Sequence, residues 1–404
     1  MRGICMKKTD SHSLKIVMVT DVFDGAWGGG MVSTERFVRV LREQGYDVTV
    51  LSTGAPAAGK AVVPGYYFPI PAVKRIMKKN GFIFAIPKRD ILKKIFEEAD
   101  IIHVQFPFLL GYGTVRLARK LGKPVISSFH VQPENILYNI GIRNDALTGM
   151  LYRFFNRILY NRSAAVICPS RFARSELQKH GLQVPGFVVS NGILPRFRPV
   201  DAVRKKDYDK YFIIYTVGRL ARDKRHDIII DAIKQSRYGG RIKLIIAGRG
   251  PLEDEIKTRA ADLPVPADIG YVDDDELLEN YNMADLYVHA SEVELESMTV
   301  LEAMACGLPA LISDSRTSAA KQFALDERFL FRSDDPRDLA AKIDNLVENR
   351  YELEKAGRQY REKAGQYSIE RSCHRLISIY SMVLEGRQEE LLRVDVEVDA
   401  MILH

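Results

Sequence analysis

The stretch Asp285–Asp314, DLYVHASEVELESMTVLEAMACGLPALISD, reads as strand, loop, helix and strand in immediate succession. DLYVHAS is a β-branched and aromatic run. MTVLEAMACG is a helix that ends with Gly307 just past its C-cap and Pro309 beyond, the usual stop signal. LPALISD starts the next strand. A strand that reaches its neighbour through a helix implies a parallel pair with helices covering the sheet. The same alternation runs along nearly the whole chain, from LKIVMVTDVF, MVSTERFVRVLREQG and YDVTVLS onward. It pauses after VVSNGILPRFRP (Val188–Pro199), crosses the polar VDAVRKKDYDK, and restarts at YFIIYTVG. Two consecutive α/β domains follow, the first over residues 1–198 and the second over 199–368. Open α/β sheets bind ligands outside the carboxyl ends of their strands, so two in series place a ligand in the cleft between them.

Bulk composition narrows the class. With 46% hydrophobic and 27% charged residues the 404-residue chain has the make-up of an ordinary globular protein. No apolar run approaches the ~18–20 residues that span a bilayer, and no apolar core precedes a cleavage site near the N-terminus, so no signal peptide is expected. Cys5, Cys168, Cys306 and Cys373 are scattered without metal-ligand spacing, which suits a reducing cytoplasm. The net charge of +7 is unevenly spread: residues 1–200 carry 29 Lys+Arg against 13 Asp+Glu, a net of +16, and the remainder carries 30 against 39, a net of −9. The first domain is therefore expected to face something anionic.

Three motifs carry chemistry. In DVFDGAWGGGMVSTERF, Gly28, Gly29 and Gly30 let the backbone turn tightly ahead of a helix N-terminus. The pattern is not GxGxxG and no acid ends the second strand, which argues against a dinucleotide dehydrogenase. In VGRLARDKRHD (217–227), Arg219 and Lys224 could converge on a pyrophosphate, the first as a fork and the second as a point charge; alone they would read as two solvated cations. In Ser291–Asp314, Glu294 precedes the helix start at Ser297, Met298 and Thr299, and Glu302 lies about one turn inside it. Free amides and the positive dipole end suit a phosphate, and flanking carboxylates suit sugar or ribose hydroxyls. The Asp273–Asp275 triplet invites a metal reading but fits N-cap and first-turn positions ahead of ELLENYNMA.

Together these motifs resemble the retaining GT-B nucleotide-sugar glycosyltransferases of family four. EVELESMTVLEAMACGLP resembles their Glu-x7-Glu signature, VGRLARDK their Gly-Arg-Leu-x-x-x-Lys element, and WGGGMVSTERFVRVLREQGYDVTVL their glycine loop and first helix. VVSNGILPRFRP resembles the linker and GYVDDDELLENYNMADLYVHASEVE the run into the signature, over roughly residues 14 to 385. The resemblance implies two Rossmann-like doubly wound domains facing across a cleft, with a segment 369–404 whose helix returns to the first domain before a loose tail. It implies that Arg219, Lys224 and the amides of Ser297, Met298 and Thr299 hold a donor diphosphate, with Gly29 and Gly30 beside it. Glu302 would bind the ribose and Glu294 a donor-sugar hydroxyl. His130, in VISSFHVQPEN, would face donor and acceptor, and Glu134 would share its face if a helix begins there. No metal and no cofactor are implied, the nucleotide sugar being a substrate. The chain departs from the family at Leu295-Glu296-Ser297, commonly a Gly-Phe-Gly-like triplet, and at Gln105, where many relatives carry a second histidine after His103.

The basic first half gains meaning in this light. Pro71–Phe96 holds eight cations, Lys74, Arg75, Lys78, Lys79, Lys88, Arg89, Lys93 and Lys94, against the single acid Asp90, with Phe82, Phe84 and Phe96 among them. That composition describes a segment on an anionic lipid surface; LYRFFNRILYNR (151–162) repeats it but reads better as a helix packed on its own domain. Around His130 and the signature the chain is also similar to bacterial diacylglycerol glucosyltransferases. The expectation is a cytoplasmic enzyme on the inner face of the cell membrane, moving a hexose from UDP-glucose or UDP-galactose to a lipid such as diacylglycerol. A soluble or lipid-linked glycan acceptor is the alternative. A non-catalytic nucleic-acid-binding protein is the remote one, disfavoured by the intact Arg219, Lys224, Glu294 and Glu302 and by the lack of an RRM- or KH-like motif.

Overall fold

The computed structural model describes residues 14–23, 28–71, 74, 75, 77 and 81–387. In the first domain the strands run β1 (Lys15–Val19), β2 (Asp47–Ser52), β3 (Lys60–Val62), β4 (Gly65–Tyr66), β5 (Phe84–Ala85), β6 (Ile101–Val104), β7 (Val125–Ser128), β8 (Ala165–Cys168) and β9 (Gly186–Val188). Seven of them form one parallel sheet in the order β3-β2-β1-β6-β7-β8-β9, while β4 and β5 pair antiparallel in an excursion beside it. In the second domain β10 (Phe212–Val217), β11 (Ile242–Ala247), β12 (Asp268–Gly270), β13 (Leu286–His289), β14 (Ala310–Ser313) and β15 (Leu330–Phe331) form a parallel sheet ordered β12-β11-β10-β13-β14-β15. The central strands are short and buried throughout, as in β6, β7, β13 and β14, because helices cover both faces and leave no polar side. Both domains are thus Rossmann-like, the GT-B arrangement. Their strand order reverses between β1 and β6 and between β10 and β13, and there the carboxyl ends open a crevice.

The helix Met298–Ala305 ends as its sequence predicts. Gly307 takes φ 77°, its amide bonds Met304 O, and the Leu308 amide bonds Ala303 O, the paired bonds of a Schellman stop. Asp273 caps the helix Asp274–Met283, its carboxylate accepting from the amides of Asp275 and Glu276, so the acidic triplet is spent on a helix start.

The chain crosses between domains twice, and the crossings bond to each other. Ile193 of the linker donates to Tyr367 O at 2.8 Å and accepts from the Ile369 amide at 3.0 Å. Gly192, at φ 77°, is required here: a Cβ would lie 2.6 Å from Ile369 Cα. The helix Ile369–Leu384 then packs on the helix Gly29–Glu43 of the first domain, burying Cys373, Leu376, Ile377 and Tyr380. Tyr380 Oη lies 2.6 Å from His103 Nδ1.

The basic run is not a single face. The helix Arg89–Glu98 buries Leu92 and Phe96 and spans the height of the domain. Lys88 and Arg89 follow β5 at one end, whereas Lys94 sits with Lys15 and Asp47, at the starts of β1 and β2. Lys93 pairs with Glu97 at 3.6 Å. Lys74 and Arg75 are exposed, and Lys78 and Lys79 lie outside the described residues, as does the tail from residue 388.

Candidate active site

A cleft of about 960 Å³ lies between the domains, and Gly29, Gly30, His130, Arg219, Lys224, Glu294, Ser297, Met298, Thr299 and Glu302 all line it. Residues separated by up to 273 positions thus converge on one space.

The loop after β10 and the loop after β13 build the charged wall. Lys224 Nζ donates to Glu294 Oε1 at 2.5 Å and lies 3.6 Å from Asp223 Oδ2. Burial opposes both charges, but each offsets the other: Lys224 is held above the usual lysine range, and Glu294 well below the usual carboxylate range by Lys224 and the neighbouring His289. His289 Nε2 is 3.5 Å from Glu294 Oε1. The fully buried Asp223 also accepts from Arg219 Nη2 at 3.3 Å and from Asn135 Nδ2 of the first domain at 3.1 Å. The pairs fix where Arg219 and Lys224 point before any ligand arrives.

Ser297 begins the helix at φ 92°, a left-handed conformation that costs a non-glycine residue about 1–3 kcal/mol. Its side chain makes no capping bond, leaving the first-turn amides open at the dipole's positive end. The preceding Glu296 is 2% exposed. It accepts from Asn191 N at 2.9 Å and Asn191 Nδ2 at 2.8 Å, and Asn191 in turn accepts from Ser33 Oγ at 2.7 Å. Burial pushes the Glu296 carboxyl up to about 7. Glu296 therefore ties the loop before Met298 to the linker and the first helix.

Glu302 is also engaged. Arg36 Nη2, from the first domain, donates to its Oε1 at 2.5 Å, and Tyr281 Oη donates to Oε2 at 3.1 Å. Neither Arg36, Asp223 nor Asn191 is evident from the sequence motifs, since each gains its role through partners far along the chain.

The opposite wall comes from the first domain. His130 stands at the end of β7, its Nε2 3.2 Å from Gln105 Oε1. Gly30 is small because His130 presses on it: a Cβ there would sit 2.7 Å from His130 Cβ. Burial lowers the imidazole to about 4, so it is neutral near pH 7. A carboxamide oxygen can only accept, so Nε2 carries the proton and Nδ1 is left as an acceptor. The helix Pro133–Asn139 does begin beside His130, yet Glu134 accepts from Tyr152 Oη at 3.0 Å and does not line the cleft. Beyond His130 the wall is aromatic, formed by Phe106, Phe108, Phe84 and Phe82 with Met31 and Met77.

No described helix is long and apolar enough to cross a membrane, and no described group of His, Cys, Asp or Glu is arranged to hold a metal ion.

Comparison with known proteins agrees with this architecture. Residues 27–196 match the family described as Glycosyltransferase Family 4, and residues 198–369 match Glycosyl transferases group 1. The chain is 25% identical over 355 residues to the sulfoquinovosyl transferase of Arabidopsis thaliana, covering 82% of this chain and 66% of that one. It is 26% identical over 322 residues to the alpha-monoglucosyldiacylglycerol synthase of Streptococcus pneumoniae, covering 74% and 70%. The crystal structure of Anabaena HepE in complex with UDP-glucose aligns over 91% of this chain and 99% of its own, with a TM-score of 0.69 at 15% identity. Two Rossmann-like domains, a shared cleft and both family matches lead to one conclusion: the chain is a glycosyltransferase and belongs to the GT-B enzymes of family 4 type.

Proposed function

We propose that the chain transfers a hexose from UDP-glucose or UDP-galactose to a membrane lipid such as diacylglycerol, with retention at the anomeric carbon and without a metal. The observation that carries the donor half is the convergence of Arg219, Lys224, Glu294, Glu302 and the open amides at Ser297–Thr299 on one cleft. In this reading the diphosphate sits on the helix N-terminus, with Arg219 and Lys224 neutralising the charge that develops as the sugar leaves. Glu294 accepts from a sugar hydroxyl and Glu302 from the ribose, both as preformed carboxylates. His130, with Nδ1 as acceptor, orients the donor sugar and the incoming hydroxyl. The acceptor hydroxyl attacks the anomeric carbon on the face the diphosphate leaves; the carbon–oxygen bond to the β-phosphate breaks, and that phosphate oxygen takes the acceptor's proton.

The lipid half rests on the printed name of one sequence relative, the alpha-monoglucosyldiacylglycerol synthase, on the basic first domain, and on the apolar wall beyond His130. An enzyme working this way would be peripheral, on the cytoplasmic face of the cell membrane. The test is a screen of UDP- and GDP-sugars against diacylglycerol, ceramide and a soluble glycan in mixed micelles, with and without a chelator, followed by the product's anomeric configuration. Expected is an α-glycoside of diacylglycerol from a UDP-hexose, unaffected by the chelator. An inverted product refutes the mechanism, turnover of the glycan alone refutes the lipid acceptor, and loss with chelator refutes metal independence.

A further inference from the structure

The cleft holds an apolar feature that the donor chemistry does not use. Val22, Met31 and Phe106 form a small buried cluster of their own, with Phe82, Ile83, Phe108 and Val131 packed against it, apart from the two larger hydrophobic clusters. Its rings make a continuous file that starts at the site. The Phe106 and His130 rings are 6.1 Å apart, Phe106 and Phe108 6.0 Å, Phe108 and Phe84 5.2 Å, and Phe84 and Phe82 5.1 Å. Phe82, Phe84 and Phe108 remain partly exposed on the cleft side.

The file is built to stay in place. Phe82 and Phe84 belong to the β4–β5 excursion, which Asp21 pins to the end of β1 by accepting from the Ala85 amide at 2.9 Å. The Ile86 amide bonds Pro64 O at 2.7 Å across the same excursion. Exposed apolar residues flank it along the chain: Phe68, at 40% exposure, and Ile70, at 50%, follow β4, and Leu109, at 51%, follows Phe108. The exposed cations Lys74, Arg75, Lys88 and Arg89 lie in the same stretch of chain. Lone exposed apolar residues need no explanation, but three beside the segments that carry the file, with exposed cations among them, point to an interaction surface.

We propose that this aromatic file is the seat of the acceptor's hydrocarbon, and that the rim at Phe68, Ile70 and Leu109 is where the acceptor enters from an anionic membrane. The inference rests on the lipid-acceptor reading above and adds to it the residues that recognise the chain. A glycan is the competing occupant. It would need hydroxyl partners along the path, whereas the file itself is built from the rings of Phe106, Phe108, Phe84 and Phe82. Hydrocarbon needs only dry, non-directional apolar contact. The membrane is met by the rim and its adjacent cations rather than by the whole basic run, since Lys94 stands at the far end of the domain.

The experiment compares two acceptors with the same reacting glycerol hydroxyl, dioctanoylglycerol and diacetylglycerol, in wild type, Phe108→Ala, Phe82→Ala and the near-isosteric Phe108→Leu. Expected is a rise in KM for dioctanoylglycerol of about tenfold in each alanine variant. Diacetylglycerol KM and UDP-sugar KM should stay unchanged, and Phe108→Leu should remain within about twofold of wild type. Equal losses on both acceptors, a raised donor KM, or no change in dioctanoylglycerol KM would each overturn the assignment while leaving the lipid-acceptor reading standing. Wild-type protein that glycosylates neither lipid overturns both.

Discussion

The two walls of the cleft solve opposite problems. On the charged wall the side chains already hold partners of opposite sign: Lys224 with Glu294, Arg219 and Lys224 with Asp223, Glu302 with Arg36. On the aromatic wall the residues beyond His130 are rings, held by edge contacts and open toward the cleft. Preformed charge is effective when its geometry is fixed in advance, because no reorganisation is needed as the transition state forms. Apolar contact has no such directionality and can tolerate a variable ligand. The difference separates where the enzyme is rigid in recognition from where it is permissive.

The comparison breaks most readily at Lys224. Lys224→Ala is expected to lower kcat/KM by about 10²–10³-fold with an unchanged circular dichroism spectrum; activity within a few-fold of wild type would mean that the charged wall is structural. The next test is Arg36→Ala, which leaves Glu302 buried without its cation. Breaking such a pair costs about 3–5 kcal/mol, so urea unfolding should shift markedly, and adding Glu302→Gln should recover part of the loss. A shift no larger than that of a surface substitution would show that Glu302 is solvated.

A smaller effect sharpens the contrast through pH. Burial holds His130 and His226 at about 4 and His103 at about 3, below the 6.5 of an ordinary histidine. The unfolded chain therefore binds protons that the native state refuses, and stability falls as pH drops below about 6.5. Asp21 and Glu296, pushed up to about 7, act in the opposite sense: the native state keeps protons the unfolded chain has lost, so their contribution grows on acidification. Glu296→Gln removes one of these opposing protons. Stability should then fall with acid more steeply, by about one proton in the slope between pH 5 and 6, as read from urea midpoints across pH. An unchanged slope would mean that Glu296 stays charged in the linker contact.

The sequence reading succeeded where information is local. The Gly307–Pro309 stop, the strand–helix alternation and the Arg219–Lys224 turn are set by neighbouring residues, and the structure follows them. It failed where side-chain direction decides. Glu134 lies in the expected helix but accepts from Tyr152, and His130 stands before the helix start at Pro133, so helical spacing does not put the two on one face. The basic run read as one surface because composition does not reveal that the helix Arg89–Glu98 spans the whole domain. Arg36 and Asn191 had no signal at all: their partners Glu302 and Glu296 are 266 and 105 residues away.

The returning helix Ile369–Leu384 has a consequence for synthesis. The strand β9 closes the first sheet at Val188, yet the helix that covers the Gly29–Glu43 helix and meets His103 is encoded only from Ile369. At ribosomal rates of about 5–20 residues per second the first domain waits roughly 10–40 s with that flank bare. Nascent chains should therefore be most vulnerable to proteases and most attractive to chaperones in this interval. Residues after Ile369 complete a domain whose other parts were made long before, and a chain shortened at its C-terminus is expected to fail in its N-terminal half.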